Sequence, residues 1–395
     1  MYRAVSWVSK VIDLADYREQ AREWLSHADI PDVPLNLDER FLVLREWQRT
    51  LFENGWVGID WSCAAGGQGL TPMHQLVFAE ELARARAPMP IGLIGLDVVG
   101  PSIDHYGQPW QREELLPKLL SGEHIWCQGF SEPDAGSDLA SLRTRAVADG
   151  EDFVISGQKV WTSWAHKAQW CALLVRTDPE VHQNAGISYV LVDMNTPGVT
   201  AHPLEQMTGD REFCEVFFDQ VRVPQRNLVG ELNNGWAVAT HTLGIERAAY
   251  TVRRRVDYEV AFEDALAQLR AGGVPRADTP AGRRVRHAVG EAQIALKVLG
   301  AQTRKTVARL ESGEVPTAED SVDKLLLNNV EQTVFAALVE LLGPFRSVPG
   351  SRPFGLDSAR WVHDHLYSRA TSIYGGTSQI QKNIIAERLL GLPRG

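Results

Sequence analysis

The chain has 395 residues and a formal net charge of −10 at pH 7, and 44% of its residues are hydrophobic. This length and apolar content predict two or three domains, or one large layered domain, with a substantial packed core. The acidic balance argues against a protein whose main partner is nucleic acid or an anionic membrane, because both partners require a basic face.

The cysteines are Cys63, Cys127, Cys171 and Cys214, and they show neither a C-x-x-C spacing nor a histidine at metal-ligand spacing. That pattern predicts reduced thiols in a cytoplasmic protein and no metal site. The N-terminus lacks the long apolar core of a signal peptide, and the apolar stretch at 88–100 is too short to cross a bilayer. We therefore expect a soluble protein without membrane insertion.

Residues 14 to about 120 carry apolar side chains at spacings of three and four, which is typical of amphipathic helices. The clearest runs are DERFLVLREWQRTLFENGW, at 38–56, and MHQLVFAEELARARA, at 73–87. Between them, AAGGQGL is a glycine-rich loop. No strand-like run precedes this loop and no Lys-Ser or Lys-Thr pair follows it. The sequence therefore matches neither a phosphate-binding P-loop nor a dinucleotide fingerprint.

The pattern changes near Ile125 to short runs rich in β-branched and aromatic residues, separated by turns. The clearest runs are DFVISGQKVWTS, QWCALLVRT, ISYVLVDM and CEVFFDQVRV. They favour an antiparallel barrel or sandwich over alternating strand–helix units.

Helical periodicity returns at Asn234, with long segments near 235–270, 281–311, 320–342 and 357–390. The segment AGGVPRADTPAG, at 271–282, is rich in glycine and proline and is predicted to be flexible. We therefore expect an α+β protein with an all-helical domain at 1–124, a β domain at 125–232 and a C-terminal helical domain at 233–395.

Glu246 lies in the run TLGIERAAYTV, which otherwise has the composition of a protein core. At 100° per residue, Glu246 shares a helical stripe with Trp236 and Leu243, whereas the adjacent Arg247 faces a different side. A carboxylate is costly to bury without a partner. Either Glu246 pairs with a buried arginine from another segment, or it is a desolvated carboxylate with a raised pKa that is suited to act as a general base.

Four segments resemble, in their order and spacing, the motifs of the acyl-CoA dehydrogenase family of flavoproteins. They are CQGFSEPDAGSDLASLRTRA at 127–146, GQKVWTS at 157–163, MTGDREFCEVFFDQVRVPQRNLVGE at 207–231 and YGGTSQIQKNIIAERLLG at 374–391. The resemblance extends over nearly the whole chain. It implies an N-terminal helical domain, a central antiparallel β-barrel domain and a C-terminal four-helix bundle. It also implies FAD, held between the β domain, the bundle and a neighbouring subunit.

The resemblance implies α,β-dehydrogenation of an acyl-CoA thioester to the trans-2-enoyl-CoA, in which a carboxylate removes the α-proton and a hydride passes to flavin N5. The family's usual base is a glutamate after the tyrosine of the C-terminal motif, where this chain has Gly375. A minority of members carry the base on a bundle helix, just before an arginine. Glu246 matches that place, so the resemblance implies Glu246 as the base and the Gly375 N–H as a donor to the thioester oxygen.

By the same resemblance, the substrate contacts are Ser137, Arg247 and Gly375, and the FAD contacts are Gln128, Phe130, Ser131, Trp161, Ser163, Gly376, Thr377 and Gln379. Three of these residues have purely structural alternatives. Trp161 is also explained as a core aromatic, Ser137 as a turn hydroxyl bonded to its own backbone, and Thr377 as a helix N-cap.

Two family elements that hold the pyrophosphate and adenine end of FAD are missing or degraded. The region of the R-x-x-F-G element, which reaches the FAD of a partner subunit, is occupied by 271–282, and the Q-x-x-G-G-x-G element appears as VELLGPFRS. Either FAD is held differently or a related second chain supplies the contacts. The expected assembly is thus a homodimer, a homotetramer or a hetero-oligomer, and the expected electron acceptor is an electron-transfer flavoprotein.

Several alternative functions remain. One is dehydrogenation of a thioester on an acyl-carrier protein, which shares its phosphopantetheine arm with CoA. Another is a subunit of a heteromeric dehydrogenase for bulky, sterol-like substrates, for which Gly375 leaves room. A non-catalytic partner subunit is disfavoured by Glu246, and a flavin monooxygenase of the same fold by the intact S-E-P-x-A-G-S-D block.

Overall fold

The computed structural model describes residues 12–181, 183–272, 278–312, 314 and 318–393, and within them all side chains except those at 242–250, 252, 253, 272 and 354. The chain forms two compact units. The first contains the described residues up to Leu204 together with Arg211–Thr242, and the second contains Glu205–Asp210 and the described residues from Leu243 onward. The domains predicted at 1–124 and 125–232 fall in the first unit, apart from the short segment at 205–210.

The helices of the first unit are α1 Leu14–His27, α2 Leu37–Glu53, α3 Pro72–Arg84, α4 Gly100–Tyr106 and α5 Pro109–Leu120. The Asn36 side chain caps α2 by accepting hydrogen bonds from the N–H groups of Asp38 and Glu39. Proline is the first residue of α3, where its fixed φ suits a helix start. The helices predicted within 38–56 and 73–87 are confirmed.

Eight strands form one sheet in the part of the chain that the structure describes. They are β1 Trp126–Gly129, β2 Arg145–Asp149, β3 Asp152–Ser163, β4 Trp170–Arg176, β5 Ile187–Asp193, β6 Val199–Pro203, β7 Phe213–Pro224 and β8 Leu228–Val229. Their order is β6-β7-β3-β2-β4-β5-β8, and β1 pairs with β4. The four predicted strand runs correspond to β3, β4, β5 and β7.

The sheet differs from a purely antiparallel one at β4. This strand pairs in parallel with β1, with Cys127 opposite Cys171, and with β2 through Arg145 and Arg176. A parallel pair requires a long connection, and β1 is separated from β4 by two intervening strands. The interior of β4 is buried at five consecutive positions, which explains its continuous apolar run.

The second unit is built from the part of α6 (Gly235–Gly272) that begins at Leu243, and from α7 Pro280–Glu311, α8 Asp320–Leu342, α9 Ser358–Tyr367 and α10 Ser378–Ile384. Its core contains Phe262, Leu299 and Leu338, each fully buried. Three of the four predicted C-terminal helices are confirmed, but the fourth is divided between α9 and α10. In the segment 271–282, residues 273–277 lie outside the described residues.

One stretch, Asp320–Ser347, is long and apolar enough to cross a membrane by length and composition. This stretch is longer than the apolar stretch at 88–100, which was considered as a membrane span from the sequence. Of its most apolar window, 56% is buried inside the protein, which is typical of a helix at the centre of a packed bundle. The four cysteines are free thiols, with Cys63 exposed and the other three buried.

Candidate active site

Two of the predicted cofactor-binding segments lie side by side in the first unit. The N–H of Val160, near the end of β3, donates to the carbonyl oxygen of Ser131 over 2.9 Å. Since Ser131 follows the end of β1, this hydrogen bond joins the S-E-P segment to the K-V-W segment. The structure thereby brings Phe130 and Ser131 to the same part of the sheet as Trp161.

A buried ion pair reinforces this junction. The Lys159 ammonium lies 2.8 Å from Glu132 Oε1, and the exposed fractions of the two side chains are 0% and 8%. Lys159 Nζ also donates to the Phe130 carbonyl oxygen over 3.0 Å. The Glu132 carboxylate accepts two more hydrogen bonds, from the N–H groups of Arg143 at 2.7 Å and Thr144 at 2.9 Å. Both charges are therefore paired and hydrogen-bonded, the condition under which an ion pair is tolerated in a protein interior.

The ion pair keeps Glu132 charged at neutral pH. Burial alone raises the pKa of this carboxyl group, but the Lys159 ammonium and the N–H donors outweigh burial and hold the pKa below its ordinary value. The carboxylate therefore has a structural task, because its oxygens accept hydrogen bonds from Lys159, Arg143 and Thr144. It fixes the turn on which the predicted flavin contacts lie.

Sequence reasoning missed the roles of Glu132 and Lys159 because each lies in a separate motif. The available signal was the position of Lys159 in β3, where Phe153, Ile155 and Lys159 are all buried. A lysine among inward-facing strand positions indicates a buried partner, since an unpaired ammonium is costly in a core.

Trp161 is 62% exposed, so its interpretation as a core aromatic is wrong. Its backbone has a φ of 60°, which is uncommon for a bulky residue and is found at functional sites. The strand pairing is irregular between Lys159 and Thr162, and such bulges redirect side chains. The indole contacts Phe213 edge-on, with ring centroids 6.4 Å apart. An exposed indole at a position with a positive φ is suited to contact a planar, partly apolar ligand.

The other predicted contacts in the first unit are accessible to a ligand to different degrees. Gln128, Ser131 and Ser163 are half-buried, whereas Phe130 is buried and Ser137 is exposed. Gln128 lies on β1, opposite Ala172 of β4. The half-buried side chains of Gln128, Ser131 and Ser163 can therefore contact a ligand without a rearrangement of the hydrophobic core.

The first four residues of the C-terminal motif, 374–377, lie in the loop between α9 and α10 in the second unit, and α10 follows within the motif. Gly375 and Gly376 have φ values of 62° and 85°, a left-handed conformation that favours glycine. Thr377 caps α10, because its hydroxyl accepts a hydrogen bond from the Ile380 N–H at 3.2 Å. The structural explanation of Thr377 is therefore confirmed. Capping uses a hydroxyl lone pair and leaves the O–H donor, so it is compatible with a cofactor contact. Gln379 is exposed.

The predicted base and its neighbour lie in α6, but the side chains of Glu246 and Arg247 are outside the described residues. Earlier in the same helix, Val238 and Ala239 are buried, with exposed fractions of 1% and 0%. This agrees with the apolar surroundings expected for the start of the helix. The assignment of Glu246 stays a prediction.

Comparisons with known proteins agree over all three sequence regions. The chain matches the family models for the N-terminal domain of acyl-CoA dehydrogenases at residues 13–123, the middle domain at 127–221 and the C-terminal domain at 233–390. It is 37% identical to the acyl-CoA dehydrogenase IpdE1 of Mycobacterium tuberculosis, over 97% of this chain and 98% of that protein.

Solved structures show the same likeness. The Tcur3481-Tcur3483 steroid ACAD is 29% identical with a TM-score of 0.84, over 98% of this chain and 100% of that chain. The ChsE4-ChsE5 complex from Mycobacterium tuberculosis is 29% identical with a TM-score of 0.80, over 98% of this chain and 100% of that chain. The chain thus belongs to the acyl-CoA dehydrogenase family of oxidoreductases.

Proposed function

We propose that this protein is an FAD-dependent acyl-CoA dehydrogenase that acts on a CoA thioester with a bulky, steroid-like acyl group. The observation that carries the proposal is the exposed Trp161 with its positive φ, next to Val160, which is hydrogen-bonded to Ser131, in the segments that match the family's middle domain. Members of this family use FAD. In an enzyme of this family, the exposed ring of Trp161 would contact the flavin.

The described residues fit the cofactor on chemical grounds. Trp161 offers a flat aromatic face, and Ser131 and Ser163 offer hydroxyl groups that are partly accessible. We assign the remaining contacts to Gln128, Phe130, Gly376, Thr377 and Gln379. When bound, FAD supplies the acceptor for the β-hydrogen, which leaves the acyl chain as hydride.

The task of the chain's own residues is to remove the α-proton. This proton is weakly acidic, so its removal needs a base and a donor to the thioester oxygen, where negative charge develops. A carboxylate base is excluded at position 375, because the residue is glycine. We assign the base to Glu246 and the donor to the N–H of Gly375. Ser137 and Arg247 are assigned to contacts with the rest of the substrate.

Two observations favour a bulky acyl group. Gly375 stands where most of the family has a glutamate, which leaves space beside the reacting carbons. One similar solved structure is named a steroid ACAD. A thioester of an acyl-carrier protein remains the second candidate, because the pantetheine arm is common to both substrates.

We also propose that the active form is an oligomer that delivers electrons to an electron-transfer flavoprotein. Similar solved structures include the two-chain ChsE4-ChsE5 complex. The degraded motifs for the adenine end of FAD favour a related second chain that completes the cofactor site.

The base assignment is tested by Glu246→Gln, with Glu263→Gln as the matched control. Glu263 is an exposed glutamate on the same helix. Loss of a general base lowers the rate by about 10²- to 10⁴-fold. We expect flavin reduction by acyl-CoA in stopped flow to fall by this factor in Glu246→Gln, with FAD content retained. A rate close to that of the wild type in Glu246→Gln refutes the assignment.

Substrate class and assembly are tested together by flavin bleaching and flavin content. Steroid-type, straight-chain and carrier-protein thioesters are compared, and we expect the steroid-type CoA thioesters to bleach the flavin fastest. Flavin per chain is measured after this chain is purified alone and after co-expression with a related chain. One tightly bound FAD per chain in the first case removes the need for a second kind of chain.

A further inference from the structure

Helix α8 carries three polar side chains at spacings of four residues, Lys324, Asn328 and Gln332. Residues at this spacing lie on one face of a helix. Lys324 and Asn328 are buried, with exposed fractions of 2% and 4%, and Gln332 is half-buried. Buried polar groups are stable only when they are hydrogen-bonded, so this face requires polar partners.

The partners of the first two residues lie in the loop between α9 and α10, which contains Gly375 and Gly376, and at the first residue of α10. Lys324 Nζ donates to the Thr371 carbonyl oxygen over 3.0 Å and lies 4.3 Å from the centre of the Tyr374 ring. Asn328 accepts a hydrogen bond from the Thr371 hydroxyl at 3.2 Å and donates one to the Ser378 hydroxyl at 3.1 Å. These contacts lie on both sides of Gly375 in the sequence.

Gln332 extends the same row to the start of the loop. Its amide nitrogen donates to the Ser368 carbonyl oxygen at 3.3 Å and to the Ser372 hydroxyl at 3.2 Å. One face of α8 therefore holds the segment 368–378 through five hydrogen bonds and one contact with an aromatic ring. We call Lys324, Asn328 and Gln332 the polar row of α8.

A fourth side chain fixes the glycines themselves. Gln381 is fully buried, and its amide nitrogen donates to the carbonyl oxygens of Gly375 at 2.9 Å and Gly376 at 3.3 Å. A Cβ on Gly376 would lie 2.5 Å from that nitrogen. Gln381 therefore holds the Gly375 carbonyl and Lys324 contacts the Tyr374 ring, so both residues of the peptide group that carries the Gly375 N–H are anchored.

We propose that Lys324 and Asn328 are positioning residues that aim the N–H of Gly375 at the thioester oxygen. This inference rests on the proposed function and adds to it the residues that set the donor's geometry. The donor acts on negative charge that develops as the α-proton leaves, so it stabilises the transition state more than the bound substrate. A loosened loop therefore slows proton removal by a larger factor than it weakens the binding of substrate or, through Gly376 and Thr377, of FAD.

The test compares Asn328→Ala with Asn329→Ala. The two residues are the same type and adjacent on α8, but Asn329 is exposed and lines a groove with α7 residues. The probe is phenylacetyl-CoA in D₂O, whose α-carbon carries protons and whose β-carbon carries none. The holoenzyme can then exchange α-protons for deuterium without dehydrogenation, and mass spectrometry measures the exchange rate.

We expect Asn328→Ala to slow exchange by about 10- to 100-fold, since a displacement of about 1 Å at a catalytic group costs as much. Its dissociation constant for phenylacetyl-CoA and its FAD content should stay within about twofold of wild type, and Asn329→Ala should exchange normally. Amide hydrogen exchange in the peptide 368–378 should also be faster in Asn328→Ala than in Asn329→Ala. Lys324→Met should slow α-proton exchange, and Lys324→Arg should recover part of the rate.

The failures of the two proposals are distinguishable. If the wild type neither exchanges α-protons nor is bleached by any thioester, the proposed function fails. If the wild type exchanges and Asn328→Ala exchanges equally fast, only the positioning inference fails. Loss of FAD or of substrate affinity in parallel with the rate would also overturn it, because it would indicate a general structural role. If Asn328→Ala does not fold, Thr371→Val removes one hydrogen bond of the same network and carries the same expectation.

Discussion

The two units hold their motif segments in different ways. In the first unit, the turn at Ser131 is fixed by a buried carboxylate–ammonium pair, Glu132 and Lys159. In the second, the loop at Gly375 is fixed by side chains that donate to carbonyl oxygens and to a hydroxyl. Removing one member of a buried ion pair leaves a buried charge without a partner. Removing one side chain that donates to the loop leaves only a neutral oxygen without its hydrogen bond. Single substitutions in these two sets of contacts should therefore mainly affect folding in the first unit and reaction rate in the second.

The largest expected effect is the loss of stability in Glu132→Gln. This substitution leaves the Lys159 ammonium buried opposite a neutral amide, and breaking a buried ion pair costs about 3–5 kcal/mol. Urea denaturation followed by fluorescence measures the change in the free energy of unfolding. Glu151→Gln, at an exposed position between β2 and β3, is the control and should change it by less than about 0.5 kcal/mol.

A double variant shows whether an unpaired charge is the cause. Replacing Glu132 by Gln and Lys159 by Met removes both charges, so the double variant should be more stable than Glu132→Gln alone. If it is less stable than the single variant, the loss comes from packing and hydrogen bonds instead of the unpaired ammonium. In that case the contrast between the two units no longer rests on charge.

An intermediate effect is expected at His363, which gives the second unit a charged contact of its own. Its ring nitrogens lie 2.9 Å from Asp210 Oδ2 and 3.0 Å from Asp364 Oδ1. Hydrogen bonds to Asp210 and Asp364 raise the pKa of His363 from 6.5 to about 9. A raised histidine pKa means that the stabilisation is complete below the unfolded value of 6.5 and is lost as the pH rises through about 9.

His363→Gln should therefore destabilise the protein by about 1–2 kcal/mol at about pH 6, since His363 is partly exposed and solvent screens the contact. The difference from wild type should shrink above about pH 9. His287, which is 72% exposed, supplies the control His287→Gln, for which we expect little change. A stability difference that grows with pH would contradict the assigned direction.

The sequence made regular elements predictable where a strong local pattern was present. The run DFVISGQKVWTS coincides with β3, and the periodic segment at 38–56 contains all of α2 except its first residue. In both cases the alternation or periodicity comes from burial of one face of a single element. The single helix predicted over 357–390 was wrong. Gly375 and Gly376 take a left-handed conformation that interrupts the helix. Their loop is held by contacts with α8 and Gln381, which a local helical pattern does not show.

The contacts that fix the candidate site depend on pairing between distant segments. Glu132 and Lys159 belong to separate motifs, and their contact depends on the turn after β1 lying against β3. The spacing of Lys324, Asn328 and Gln332 is visible in the sequence, but their partners at 368–378 are not. Trp161 was assigned to the flavin only by family resemblance, because an exposed tryptophan and a buried one look the same in a strand pattern.

The smallest expected effect concerns Thr377, and it separates capping from cofactor binding within the loop of the second unit. Thr377→Ala removes the N-cap of α10 and should cost about 1 kcal/mol, whereas Thr377→Ser keeps a hydroxyl and should cost less. Hydrogen exchange of the amides in α10 measures the cap, and titration of apoprotein with FAD measures the cofactor contact. If the hydroxyl only caps the helix, Thr377→Ala speeds exchange without weakening FAD. If it also donates to FAD, both change, and serine restores both because it retains the donor and the acceptor.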